Sequence, residues 1–206
     1  SALTADEILY VATLTSDNNK KMEVYKKAAE LFPQDYRTFN NLGLTQYVAG
    51  DYDAAYSNFE KALRLNPQSR EPEMNKGLVQ MLRGQYSNAY QSLGAAAGVP
   101  EAGEAMGVYY LQQGNVPQAI SSFGDVKSNN AALARILNKD YAAARDILAA
   151  IPTPDATTYY LTAVLGARTG NESMVLSNLR QAARLDPSML ARAKQDMEFA
   201  RYSLSL

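Results

Sequence analysis

Residues Tyr36 to Ser69 read YRTFNNLGLTQYVAGDYDAAYSNFEKALRLNPQS, and this stretch decides the fold. Its frame of Gly43, Gly50, Tyr52, Ala55 and Phe59 returns as Gly77, Gly84, Tyr86, Ala89 and Leu93, every number raised by 34. It returns again as Gly107, Gly114, Val116, Ala119 and Phe123, raised by a further 30. A frame of small and aromatic residues at a near-fixed period means stacked copies of one supersecondary unit, not a single wrapped core. Backwards by 34, Phe59, Ala62, Leu65 and Pro67 become Tyr25, Ala28, Leu31 and Pro33. Forwards by 25, Val116, Ala119 and Phe123 become Tyr141, Ala144 and Leu148. A last step of 31 carries Lys139, Ala144 and Leu148 onto Gly170, Val175 and Leu179. The four steps total 120, which is also the separation of Pro67 from Pro187 and of Ala62 from Ala182, so the alignment closes on itself.

Each copy reads as two helices. In the clearest one, Tyr36 to Ala49 forms the first and Tyr52 to Leu65 the second, with Phe39, Leu42, Ala55, Phe59, Ala62 and Leu63 at helical spacing. Gly50 closes the first helix in a left-handed conformation, and Asp51 caps the second by accepting a backbone N–H. Gly114-Asn115 and Gly170-Asn171 repeat this punctuation; Lys139-Asp140 keeps the cap and loses the glycine. Pro67 and Pro187 end second helices, because the residue before proline disfavours helical angles. Thr4-x-x-Glu7 predicts a capping box at the first helix. Gly43, Gly77 and Gly107 fall in mid-helix, where glycine costs roughly 1 kcal/mol against alanine. Close approach of the paired helices offsets that cost, with Ala55, Ala89, Ala119 and Ala144 as the matching small residues on the second helix.

These residues resemble the tetratricopeptide repeat, whose pattern is W-x2-L-G-x2-Y, then A-x3-F, then P. The stretch 36–69 supplies Phe39-x2-Leu42-Gly43, Ala55-x3-Phe59 and Pro67; the expected tyrosine is Gln46, with Tyr47 beside it. The third copy supplies Gly107-x2-Tyr110 and Ala119-x3-Phe123. The resemblance implies an all-α fold: a right-handed α-solenoid of about six helix hairpins plus a C-terminal capping helix, in one domain over 1–206. The repeats run approximately 2–35, 36–69, 70–99, 100–126, 127–152 and 153–187, with the cap helix at 188–204. The step into the fourth copy falls nine short of 34, which predicts a stubby helix near Ala131 to Leu137 and a local kink or change of pitch. In the tail, Leu190, Ala193, Met197 and Ala200 share one face. Solenoids need an end cap over their last apolar surface; the alternative is a helix that docks a partner or pairs two copies as a homodimer.

Composition removes most chemistry. The chain has no cysteine and no histidine, so thiolate sites, cysteine nucleophiles and the commonest general base are absent. Net charge is −1, from 20 basic and 21 acidic residues, without the basic face that nucleic acid requires. Lys20, Lys21, Lys26 and Lys27 read as a solvated helix face. No apolar run reaches the roughly 18 residues that span a bilayer, so no membrane insertion is expected. Glycines 94, 98, 103 and 107 lack the Gly-Lys-Ser/Thr of a phosphate loop. Glu101 and Glu104 could share a cation, but solvated first-turn carboxylates suit the helix dipole better. No serine has a candidate base, and Asn171-Glu172-Ser173 matches a glycosylation sequon. No catalytic residue, metal or cofactor is expected. The opening Ser1-Ala2, without methionine, predicts a processed product or an excised piece of a longer chain.

What remains is a surface. In the resembled family the first helices line the concave side. The helical period places Arg37, Asn40, Leu44, Tyr47 and Val48 on that stripe, then Glu71, Met74, Asn75, Leu78 and Met81, then Glu101, Glu104, Val108, Leu111 and Gln112. Thr157, Tyr160, Val164 and Arg168 follow in the last full pair. The alternative is that Leu44, Leu78 and Val108 are second-layer core. Methionine adapts to peptides and tyrosine is a favoured anchor, so the stripe predicts a non-catalytic module holding a peptide, a helix or a partner domain in the concave groove. Asn40 and Asn75 would fix the partner's backbone. Some family members grip a terminal carboxylate with lysine, arginine and asparagine; here the stripe has no lysine, and Glu71, Glu101 and Glu104 would repel one. The remaining readings are a self-assembly element or an accessory domain of an envelope or secretion machine. Analogy with bacterial envelope proteins favours a periplasmic or surface setting.

Overall fold

The computed structural model describes residues 2–206. Helices account for all the regular structure among them, with no strand. The packing resolves into two units, the first ending at Ala105 and the second running Met106–Leu206. The first holds α1 (Ala5–Thr13), α2 (Asn18–Leu31), α3 (Tyr36–Val48), α4 (Tyr52–Leu65), α5 (Arg70–Leu82) and α6 (Tyr86–Ala95); the boundary falls inside α7 (Ala102–Gln112). The second continues with α8 (Val116–Phe123), α9 (Asn129–Leu137), α10 (Tyr141–Ala150), α11 (Ala156–Arg168), α12 (Glu172–Leu185) and α13 (Ser188–Gln195), followed by a 3-10 turn, Met197–Phe199.

The helix starts follow the expected capping. Thr4 and Glu7 form the reciprocal box, with Thr4 N–H on Glu7 Oε2 at 2.7 Å and Glu7 N–H on Thr4 Oγ1 at 3.2 Å. Asp51, Asn115 and Asn171 each accept a backbone N–H from the first turn they precede. Gly50 takes φ +84°, and the Asp51 N–H then reaches back to the Gln46 carbonyl at 2.9 Å. Lys139 makes the same turn without glycine: its φ is +61°, and the Asp140 N–H reaches the Arg135 carbonyl at 2.8 Å. The left-handed form costs a residue with a Cβ about 1–2 kcal/mol. The expected Asp140 cap is absent, because Arg135 Nη1 holds that carboxylate at 2.8 Å and no side-chain bond caps α10. A charge-assisted bond outcompetes a neutral backbone donor.

Within hairpins the mid-helix glycines do mark close approach, with a large apolar side chain of the second helix as the nearest partner, ahead of the expected alanine. A Cβ on Gly43 would lie 2.6 Å from the Phe59 ring and 3.2 Å from the Ala55 carbonyl. On Gly77 it would lie 3.1 Å from Leu93, and on Gly107 it would collide with the Phe123 ring. The glycine is therefore a seat for the large apolar residue of the second helix; the alanines sit beside it, fully buried at Ala55, Ala89 and Ala119. In the fourth and last pairs Ala132 and Ala163 occupy the same register, both at 0% exposure.

The short step is shared between two elements. The second helix shrinks from 14 residues in α4 to 8 in α8, and the connection runs through Gly124 at φ +54° before the 9-residue α9 begins. The tail is shorter than the expected 188–204 helix. Asp196 is extended, and its carboxylate accepts the Glu198 N–H at 3.0 Å and the Tyr160 hydroxyl at 2.6 Å, which ends α13. Met197, expected on the apolar face, is 84% exposed, and Phe199 is buried instead. The tail packs on α11 and α12 of its own chain, with Ala193 and Phe199 in the core of the second unit.

Candidate functional site

The first unit aligns three first helices by direct bonds. Arg37 Nη1 meets Asp6 Oδ1 at 2.8 Å, tying α3 to α1. Asn75 Nδ2 donates to Asn40 Oδ1 at 2.9 Å, tying α5 to α3. Along these helices two rows at the repeat spacing are apolar: Tyr10, Leu44 and Leu78, then Leu14, Val48 and Leu82. They are not core. Tyr10 is 64% exposed, Leu14 69%, Val48 70% and Leu82 53%, while Leu42 and Val79 on the same helices are buried. Leu44 is 37% exposed and Leu78 half-buried. Leaving one large aliphatic exposed is ordinary; a row of them at one register is an apolar patch of the kind found at docking sites.

The other residues expected on this stripe have internal duties. Asn40 and Asn75 are buried and bonded to each other, so their amides face one another. Arg37 is bound to Asp35 through Nη2 at 2.6 Å as well as to Asp6, which holds the Asp35 carboxyl below its ordinary value and raises the guanidinium's own. Met74 and Met81 are buried. Tyr47 is half-buried, edge-on to Tyr52 at 5.5 Å between ring centroids, and burial raises its phenol pKa. Glu104 is half-buried at the end of the first unit.

Val108, Leu111 and Tyr160 belong to the second unit. Val108 and Leu111 are partly buried against its core. Tyr160 is only 4% exposed: Phe199 meets its ring edge-on at 5.5 Å, the Arg192 guanidinium lies 4.9 Å from its centroid, and its hydroxyl donates to Asp196. Burial, with the Asp196 carboxylate next, pushes the phenol pKa up. Here α9, α11 and α13 line an open cavity of about 360 Å³, with Leu133, Leu137, Tyr160, Val164, Arg192 and Asp196 in its wall. Arg168, at the register of Val48, is clasped by Glu198, with Nε to Oε2 at 2.9 Å.

Sequence reasoning missed Tyr10, Leu14, Leu82, Leu133 and Leu137. The repeat step would have found them, since Tyr10 and Leu14 precede Leu44 and Val48 by 34 and Leu133 follows Val108 by 25. Among the described residues no three acidic, histidine or cysteine side chains gather to hold a metal ion. No described helix is long and apolar enough to cross a membrane.

Residues 36–69 match the family model for the tetratricopeptide repeat. No curated protein matches the chain. Among solved structures, one in the Cut9–Hcn1 hetero-tetramer of the APC/C superposes with a TM-score of 0.81 at 19% identity, over 93% of this chain and 43% of that one. This chain therefore spans less than half of that protein. A structure from a functional characterization of Pseudomonas aeruginosa pilF gives 0.71 at 19% identity, over 96% of both chains. YrrB, described as a TPR protein with an unusual peptide-binding site, gives 0.55 at 18% identity, over 85% of this chain and 100% of its own. At these identities the likeness is one of fold.

Proposed function

From the premise that this chain carries a tetratricopeptide repeat and shares the fold of tetratricopeptide-repeat structures, we propose that it is a non-catalytic docking module. Its working surface is the open face of α1, α3 and α5. Proteins of this fold act in general as protein–protein interaction modules. The observation that carries the placement is the pair of apolar rows, each at its own register, Tyr10–Leu44–Leu78 and Leu14–Val48–Leu82, exposed throughout except at half-buried Leu78. Burial of such side chains yields about 25 cal/mol per Å² of apolar surface, so a handful of them suffices for a specific contact. Tyr160, Met74 and Met81 drop out as anchors because they are buried. Pairing through the tail is the second reading; Ala193 and Phe199 of that tail pack on its own chain, which favours the open face over it.

The test is a pull-down from the native source with the intact chain and with a Leu14→Asp, Val48→Asp, Leu82→Asp variant. A partner held by the first and lost by the second, with matching thermal unfolding, supports the reading. Equal retention of every partner by both moves the working surface elsewhere.

A further inference from the structure

We infer that the segment received by the open face of the first unit is an α-helix of a partner protein, with an apolar stripe flanked by lysine or arginine, and not an extended peptide. The inference rests on the docking reading above. An extended peptide arrives with an unpaired N–H and C=O at every residue. Covering those groups without partners is expensive, so the host must answer them. Several polar side chains bordering the apolar rows are already committed. Asn40 and Asn75 bond each other, and Arg37 is held by Asp6 and Asp35. Thr13 Oγ1 donates to the Tyr10 carbonyl and Thr45 Oγ1 to the Leu42 carbonyl, each at 2.6 Å. Along the two rows themselves the face offers hydrocarbon and phenol. A helix closes its own backbone bonds and presents side chains alone.

Spacing agrees. Packed helices lie about 8–10 Å apart, and residues seven apart on a guest helix are separated by about 10 Å. A stripe at i, i+3, i+4 and i+7 can therefore meet successive host helices. The charge of the guest follows from one edge of the face. The first turns and caps of α1, α3 and α5 carry five carboxylates, Asp6, Glu7, Asp35, Glu71 and Glu73, and two guanidiniums, Arg37 and Arg70, with Arg37 paired to Asp6 and Asp35. Each helix end contributes about half a positive charge, which leaves about one and a half negative charges along that edge. Position 37 lies about 10 Å along α3 from Leu44, within reach of a long basic side chain on the guest's flank.

The probes are three 18-residue peptides titrated calorimetrically into the 206-residue chain. The first is lactam-bridged into a helix, with leucines at i, i+3, i+4 and i+7 and lysines on one flank. The second replaces two central residues with proline, and the third replaces the lysines with glutamate. The bridged lysine peptide is expected to bind, the proline peptide at least tenfold more weakly, and the glutamate peptide at least fivefold more weakly. Val48→Asp removes binding, and Leu137→Asp in the second unit leaves it unchanged, with melting curves checking that both variants fold. A proline peptide that binds as tightly as the bridged one, and is lost with Val48→Asp, overturns the helix and spares the docking face. Binding indifferent to Val48→Asp overturns both. No binding of the bridged peptide, or self-association of the chain through Val48 seen by light scattering, also overturns the inference.

Discussion

Val48 and Arg168 occupy one register in different repeats and have opposite fates. In the first unit Val48 closes α3 with 70% of its surface open. In the second, Arg168 closes α11 under the chain's own tail, bound to Glu198, while Arg201 Nη2 donates to the Ala167 carbonyl at 2.9 Å. The same contrast separates half-buried Leu78 and exposed Leu44 from Val164, which is 8% exposed. One repeat frame thus builds two kinds of surface. Where the tail folds back, the row becomes the wall of a cavity with charged groups paired inside the chain; where nothing folds back, it is an open apolar strip. The lesson is that register decides which residues face the groove, while the next element decides whether the groove is free.

The largest effect should come from removing the tail's anchor. Phe199→Ala is expected to cost about 3–5 kcal/mol in urea unfolding, the usual loss for a buried ring. Hydrogen exchange should show α11 and α12 loosening before α3 and α4. Val48→Ala should change stability by no more than about 0.5 kcal/mol. Similar losses for the two would erase the contrast between covered and open rows.

The glycine seat offers a second comparison, inside the first unit. Gly43→Ala is expected to destabilise by about 1–3 kcal/mol through overpacking against Phe59, despite a better helix propensity. Gly94→Ala in α6, whose Cβ would meet nothing within 4 Å, should stabilise by up to about 1 kcal/mol. Differential scanning calorimetry distinguishes the signs.

Reciprocal turn substitutions give an effect of about 1 kcal/mol or slightly more. Lys139→Gly should stabilise the second unit and Gly50→Lys should weaken the first by a comparable amount. A neutral Gly50→Lys would mean that the turn tolerates a side chain without strain.

Acid sensitivity is the smallest of the four. Arg37 holds the Asp35 carboxyl below its ordinary 3.8. Its contribution is therefore complete above that value and fades as pH falls through the lowered one. Asp155, depressed chiefly by the Thr158 N–H, behaves alike in the second unit. Asp35→Asn should flatten the acid slope of the first unit's melting temperature only, and by a modest amount because the pair is partly solvated.

Most of the architecture was legible because hairpins repeat a local pattern: capping residues, mid-helix glycines and prolines all act within one or two turns. The site was less legible because its chemistry depends on which neighbours meet. Asn40 and Asn75 read as free groove amides, yet they are separated by one repeat and one residue, and that offset brings them together. Tyr160 read as an anchor because its register is right; its covering depends on Asp196 breaking α13, a long-range bond with no local signature. Tyr10 and Leu14 carried a signal in the repeat step, but the first copy aligned most visibly through Tyr25, Ala28 and Pro33 of its second helix.

The central claim is that the rows through Val48 and Leu82 are the surface a partner covers. The absence of cysteine makes it directly measurable. Single Val48→Cys, Leu82→Cys and Val164→Cys variants would be labelled with a thiol-reactive probe, alone and with the partner recovered by pull-down. The account predicts fast labelling at 48 and 82 that slows at least tenfold when the partner is added, and slow labelling at 164 in both conditions. Rates at 48 and 82 unchanged by a bound partner would contradict it.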